Sequence, residues 1–78
     1  MFLEIITPDK KIYSGEVNSI QLPGTSGSFG ILKNHAPLIS SLKVGKVKII
    51  DDKQLTQLFD IKGGVVEVLN NKIIVLAE

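Results

Sequence analysis

Apolar positions along the chain form short runs separated by turn-forming residues. The runs are rich in Val, Ile and Leu, and turn residues interrupt them about every 8 to 12 positions, as in all-β sandwiches and barrels. No segment shows the three- to four-residue apolar spacing of a helix. The pattern predicts strands at residues 2–7, 11–13, 16–22, 46–49, 54–61, 65–69 and 72–76.

Alternation within these runs predicts which side chains face a core. In a strand, neighbouring side chains point to opposite faces. Residues 16–22 should therefore place Ile20 on one face, together with Asn18 and Leu22, and Val17 on the other. Residues 46–49 alternate lysine with apolar residues, which is typical of a strand with one face in water.

The clearest local prediction is a hairpin near the end of the sequence. Asn70-Asn71 separates two apolar runs, and asparagine tolerates positive φ, so a two-residue type I′ turn fits. In that hairpin, Val66 and Val68 would lie on the same face as Ile73 and Val75 of the following strand.

A single sheet would leave half of these Val, Ile and Leu side chains in water. Two facing sheets bury them, so we expect an all-β fold with residues 1–78 forming one domain, a sandwich of two packed sheets.

Composition excludes several classes of function. The chain has no cysteine, so it has neither a disulfide framework nor a thiolate metal site. Nine basic and eight acidic residues are scattered, and only four residues are aromatic, so a nucleic-acid-binding surface is not expected. No apolar run is long enough to span a bilayer, and no signal peptide follows Met1.

One stretch, LPGTSGSFGILKNHAPL at residues 22–38, does not have the sequence pattern of a strand. Gly24, Gly27 and Gly30 fall three apart and would permit tight turns or close approach to a partner. We interpret the stretch as a functional loop. Phe29 either is presented to a partner or folds into the core as the end of a wide turn.

The spacing of residues in this stretch does not support a phosphate-binding, hydrolytic or metal-binding site. The glycines lack the spacing and following lysine of a phosphate-binding loop. His35 could pair with Ser40 or Ser41 in a hydrolase, but no G-x-S-x-G elbow is present. One histidine among dispersed carboxylates also lacks the spacing of a zinc site. We therefore interpret His35 as a structural or interface residue that helps to hold the exit of the loop.

The same stretch closely resembles the signature of the ATP synthase epsilon subunit family, called delta in mitochondria. The segments FLEIITPDKKIYSGEV, VGKVKI, IKGGVVEV and IIVLAE also match that family's N-terminal domain in order and spacing. The resemblance therefore covers essentially the whole chain.

The resemblance implies a flattened sandwich of two five-stranded, mostly antiparallel sheets, about ten short strands in all. It implies a rotor subunit without catalytic activity or cofactor, which links the gamma subunit to the c-ring and couples proton or sodium flow to ATP synthesis. Such a subunit lies at the cytoplasmic face of the bacterial plasma membrane, attached only through the complex, and is a monomer when isolated.

The resemblance also implies roles for individual residues. The positions matching the c-ring contact are Ser26, Gly27, Ser28, Phe29, Asn34 and His35. Those facing gamma are Thr7 and Ser40. Many family members carry an acidic residue where this chain has Ser28. The sequence also ends where bacterial members continue into a two-helix hairpin, so we expect no helical hairpin and no inhibition of ATP hydrolysis through it.

Two other functions fit parts of the sequence. A free-standing β-sandwich could use its glycine-rich loop to bind an unrelated protein partner. A small hydrolase could use His35. Neither accounts for the ordered matches along the whole chain.

Overall fold

The computed structural model describes residues 1–78 and consists of eight β-strands. They are β1 (Phe2–Ile6), β2 (Lys11–Gly24), β3 (Gly27–Leu32), β4 (Leu38–Leu42), β5 (Gly45–Asp51), β6 (Thr56–Ile61), β7 (Gly64–Leu69) and β8 (Lys72–Ala77). None of these elements is a helix that could cross a membrane. The all-β prediction is confirmed.

The eight strands are fewer than the ten implied by the resemblance, and they differ in two places from the seven predicted by the pattern. Residues 11–13 and 16–22 are one strand, β2, because Ser14 and Gly15 pair with Glu4 and Leu3 of β1 and do not form a turn. The stretch at residues 22–38, predicted to be a loop, instead contains β3 and the beginning of β4.

The strands form one continuous hydrogen-bonded sheet and not two separate ones. Residues 11–16 of β2 pair with β1, whereas residues 17–24 lie between β5 and β3. Strand β2 thus joins two layers: layer one has the order β1-β8-β7-β4, and layer two has the order β3-β2-β5-β6. All pairings are antiparallel except the parallel pairing of β1 with β8.

The core lies between the two layers and forms a single cluster of 15 buried residues. Layer one contributes among others Leu3, Ile5, Val66, Val68, Ile73 and Val75, and layer two contributes Val17, Ile20, Leu22, Ile31, Val47 and Ile49. Burial of this apolar surface from both sides is the main stabilising term of the fold. The sandwich expected from the sequence is confirmed.

The face assignment along residues 16–22 was wrong at its first positions. Val17 and Ile20 are both buried, and Asn18 is exposed. The pairing of β2 with β5 shifts register between Val17 and Ser19, which inserts an extra residue and reverses the alternation on one side of the shift. The strand therefore directs Val17 and Ile20 into the same core.

The hairpin of β7 and β8 has the predicted turn and pairing. Asn70 and Asn71 have φ values of 52° and 60°, so both central residues occupy the left-handed region that a type I′ turn requires. Val66 lies opposite Val75 and Val68 opposite Ile73. Each such pair contributes about 0.2–1 kcal/mol.

Gly64, at the start of β7, allows a close approach of two strands. Its φ is +143°, and a Cβ atom there would lie 2.1 Å from the carbonyl oxygen of Leu76 in the neighbouring strand. Any other residue would have to displace backbone.

We expect Gly64→Ala to lower the free energy of unfolding by at least about 2 kcal/mol, because both conformation and contact are unfavourable. Urea unfolding measures this change. Gly30→Ala is the matched control, since a Cβ atom there would meet only the Ile20 carbonyl oxygen at 3.7 Å. An equal loss in both variants would show that the close approach at Gly64 is not responsible.

A carboxylate of β1 joins three neighbouring strands through ion pairs. Glu4 lies 2.6 Å from Nζ of Lys11 in β2 and 3.9 Å from Nζ of Lys72 in β8. The hydrogen bond from Lys11 is the main cause that lowers the pKa of Glu4 below its ordinary value of 4.5, and the positive charges of both lysines add to it.

The lowered pKa predicts how acid affects stability. Folded Glu4 binds its proton less tightly than the unfolded chain does, so its ion pairs stabilise the native state above pH 4.5. That contribution is lost as the pH falls below 4.5 and through the lower pKa of the folded state. We therefore expect the difference in melting temperature between wild type and Glu4→Gln to be largest above pH 4.5 and to shrink in acid. A difference that is constant with pH would contradict this.

Candidate functional site

The glycine-rich stretch begins as a tight β-hairpin between β2 and β3. Gly24 lies opposite Gly27 and Leu22 opposite Phe29, so Thr25 and Ser26 form a two-residue turn. Gly27 has a φ of +134°, a conformation that other residues rarely adopt. The glycines shape a tight hairpin, where the sequence predicted a glycine-rich loop or a wide turn.

Phe29 is folded against the protein. Its side chain is half-buried and packs against the hydrophobic core. The ring lies over Gly24, where a Cβ atom would be only 2.7 Å from Cε1 of Phe29. Of the two alternatives left open by the sequence, the structure favours packing of the aromatic ring over its presentation to a partner.

The tip of this hairpin is tied to layer one. The amide of Thr25 donates to the carbonyl oxygen of Ser41 at 3.1 Å, and the hydroxyls of the same two residues lie 3.0 Å apart. The amide of Lys43 donates to the carbonyl oxygen of Pro23 at 2.8 Å. Ser26 and Ser28 remain exposed on this fixed support.

Asn34 and His35 follow β3 at the opposite end of that strand. Asn34 has a φ of 65°; its amide donates to Oδ1 of Asn71 at 2.7 Å, and its own Oδ1 accepts from Nδ2 of Asn71 at 2.9 Å. The exposed ring of His35 has Nδ1 2.7 Å from the carbonyl oxygen of Ala36. The Asn34–Asn71 pair fixes this segment against the β7–β8 turn.

The six residues predicted to contact the c-ring therefore lie along one strand and not in one cluster. Ser26 precedes β3, Ser28 and Phe29 belong to it, and Asn34 and His35 follow it. Five strand steps from Gly27 to Leu32 span about 17 Å. Strand β3 pairs only with β2, so its other edge is unpaired.

The two residues predicted to face gamma have different surroundings. Thr7 is in the exposed turn after β1, where its hydroxyl donates to the carbonyl oxygen of Lys10 at 3.0 Å and its amide donates to the same oxygen at 2.8 Å. Ser40 is half-buried in β4 and lies opposite the buried Val66. Its neighbour Ser41 lies on the exposed side of β4.

Sequence reasoning missed an apolar surface on the outer side of layer one, which we call the layer-one outer face. Ser41, Val65, Leu76 and Ile6 form one row across its four strands, and Ile39, Glu67, Ile74 and Glu4 form the next. Ile39, Val65 and Leu76 are exposed to solvent. The available signal was that β7 and β8 carry apolar residues on both faces, whereas a strand facing water alternates with polar residues.

The ring of His35 has no side-chain hydrogen-bond partner. The only hydrogen-bond partner of its ring is the backbone oxygen of Ala36. No group of three His, Asp or Glu side chains is placed to hold a metal ion. The buried carboxylate of Asp51 accepts from the amides of Lys53 and Leu55, both at 2.9 Å, and so holds the β5–β6 turn.

Comparison with known protein families gives one match over the whole chain. Residues 1–78 match the β-sandwich domain of the delta/epsilon chain of ATP synthase. The ATP synthase epsilon chain of Chlorobaculum tepidum is 47% identical over 97% of this chain and 86% of its own length. That of Caulobacter vibrioides is 40% identical over 100% of this chain and 90% of its own.

Other similar proteins are longer. This chain spans 54% of the epsilon chain of Maridesulfovibrio salexigens, at 44% identity. In a mitochondrial ATP synthase structure from Euglena gracilis, one chain aligns with a TM-score of 0.87 at 19% identity, over 96% of this chain and 48% of that one. In the central stalk and c-ring structure from Tetrahymena thermophila, the TM-score is 0.80 at 23% identity, over 99% and 62%.

These structural similarities show a shared fold. The family model and the sequence relatives also show the family to which the chain belongs. The family match covers every residue, and the sequence identity to bacterial epsilon chains extends over nearly the whole chain. The resemblance inferred from the motifs is confirmed: this chain belongs to the ATP synthase delta/epsilon family and forms its β-sandwich domain.

Proposed function

We propose that this chain is a non-catalytic rotor subunit in the central stalk of a bacterial F-type ATP synthase. It links the gamma subunit to the c-ring and thereby couples proton or sodium flow to ATP synthesis. Membership of the delta/epsilon family supports this role. The chain acts at the cytoplasmic face of the membrane as a peripheral protein, held there by the complex.

The observation that carries the proposal is the layer-one outer face. Exposed Val65 and Leu76 lie opposite each other on β7 and β8, and exposed Ile39 of β4 lies diagonally from Val65, in the row of Glu67. An exposed apolar surface of this kind marks a protein interface. We assign it to gamma. Thr7 follows Ile6 at one end of the row that includes Val65 and Leu76, and Ser40 precedes Ser41 at the other.

The c-ring is assigned to the free edge of β3. Ser26, Gly27 and Ser28 present an exposed hairpin tip at one end of this edge. Asn34 and His35 offer a second contact at the other end, where two hydrogen bonds between Asn34 and Asn71 hold the segment in place. Two fixed contacts at opposite ends of this strand, which is about 17 Å long, resist rotation against the ring better than one would.

Attachment of both partners to one rigid body is the proposed mechanism. The two layers share strand β2 and one core, so movement at the β3 edge is transmitted to the layer-one outer face without a hinge. Close-packed interiors have low compressibility and transmit strain. The domain thus serves as a mechanical coupling between ring and shaft.

The gamma assignment predicts that Leu76→Asp weakens binding to gamma at least about tenfold, because it introduces a charge into an apolar contact. Titration calorimetry with the gamma subunit of the same synthase measures the affinity. Leu58→Asp is the matched control, since Leu58 is 57% exposed against 54% for Leu76 but lies in β6 of layer two. Failure of the wild-type chain to bind gamma would refute the proposed function.

The ring assignment predicts that Ser28→Trp lowers the affinity of the chain–gamma complex for c-ring-containing membranes by about tenfold, since an indole at the exposed tip blocks close approach. ATP-driven proton pumping should fall while ATP hydrolysis continues. His35→Ala tests the other end of β3 in the same assays. If both variants couple as wild type does, the β3 edge is not the ring contact.

A further inference from the structure

The layer-one outer face has a carboxylate near its centre. Glu67 of β7 lies opposite Ile39 on one side and opposite Ile74 on the other. It is exposed and takes part in none of the four ion pairs of the chain. An acidic side chain thus stands among apolar neighbours without a counter-charge from its own chain.

The other carboxylate of the same face, that of Glu4, has ion-pair partners. Glu4 is bound by Lys11 at 2.6 Å, and Lys72 also approaches it, with Nζ 3.9 Å from Oε1 of Glu4. Lys72 lines the same shallow groove as Glu67, but its ammonium group is directed to Glu4. A partner that covered this face would therefore meet one carboxylate already neutralised and one still uncompensated.

Covering Glu67 has a large energetic consequence. Removing water from a carboxylate is strongly unfavourable unless a cation or several hydrogen-bond donors replace that water. The apolar neighbours Ile39 and Ile74 supply neither, and the ammonium group of Lys72 is paired with Glu4. A partner without a matching cation would thus be rejected, and a partner with one would gain from an ion pair shielded from solvent.

We propose that Glu67 is a specificity-determining contact for gamma and binds an arginine or lysine side chain of that subunit. Arginine fits best, because its guanidinium can hold both carboxylate oxygens at once. The proposal rests on the proposed function, since it assumes that gamma covers the layer-one outer face.

The shape of the surface around Glu67 supports a central position of this residue in the interface. Two shallow grooves flank it: Pro37 and Ile39 line one, and Leu69 and Ile74 line the other. Apolar side chains of a partner seated in both grooves would exclude water from the ion pair between them. Interface residues of high energetic weight are typically central and surrounded by contacts that exclude water.

The experiment is titration of the gamma subunit from the same synthase with variants of this chain. Glu67→Gln keeps the size of the side chain and removes the charge, and we expect at least tenfold weaker binding. Glu67→Asp keeps the charge on a shorter stem and should retain part of the affinity. Asp52→Asn is the control, because Asp52 is an exposed acid after β5 of layer two and, like Glu67, takes part in none of the four ion pairs.

A charge exchange identifies the partner cation. Glu67→Lys should abolish binding, and replacing one arginine or lysine of gamma with glutamate should restore it. Unchanged or tighter binding of Glu67→Gln, or failure of every gamma variant to restore binding, would overturn the inference. If Leu76→Asp still weakens binding in that case, the proposed function stands. If wild type does not bind gamma, both fail.

Discussion

The sharing of β2 between the two layers is the constraint on which the rest of this structure depends. The first six residues of the strand pair with β1 in layer one, and the remainder lies between β3 and β5 in layer two. The register shift between Val17 and Ser19 makes this possible, because it turns Val17 and Ile20 towards one core. A stretch of 78 residues thereby encloses a core from both sides without a disulfide.

The features predicted from sequence are those determined by neighbouring residues. The turn at Asn70-Asn71 and the pairing of Val66 with Val75 depend on local conformational preference and alternation, and both are present. The predicted faces of Val17 and Asn18 were wrong because the register shift arises from pairing with β5, which is distant in sequence. Likewise, Gly24 and Gly27 read as loop residues, although they pair with each other in a hairpin whose tip is held by β4.

In the candidate site, too, the features determined by neighbouring residues were predicted and those that depend on distant strands were not. The motif match located the residues from Ser26 to His35, but it could not show that they follow one unpaired edge over about 17 Å. The layer-one outer face was missed because its members come from four strands. Val65 and Leu76 become neighbours of Ile39 only after β4, β7 and β8 pair. That Glu4 has ion-pair partners and Glu67 has none likewise depends on where Lys11 and Lys72 are directed.

The link between the β2–β3 turn and Ser41 determines how the domain responds to force. A pull on the tip along the strands loads β2 and β3 in the same direction, and it acts at the same time on the pairs from Val17–Asp51 to Gln21–Lys48 that hold β2 to β5. Hydrogen bonds between antiparallel strands run perpendicular to the strand axis, so such a pull shears them together and does not open them one after another. The bonds from Thr25 to Ser41 and from Lys43 to Pro23 pass part of the force to β4. Rupture would then require many bonds to break at once, which makes the hairpin stiff in the direction of its strands and weaker when it is lifted sideways from the sheet.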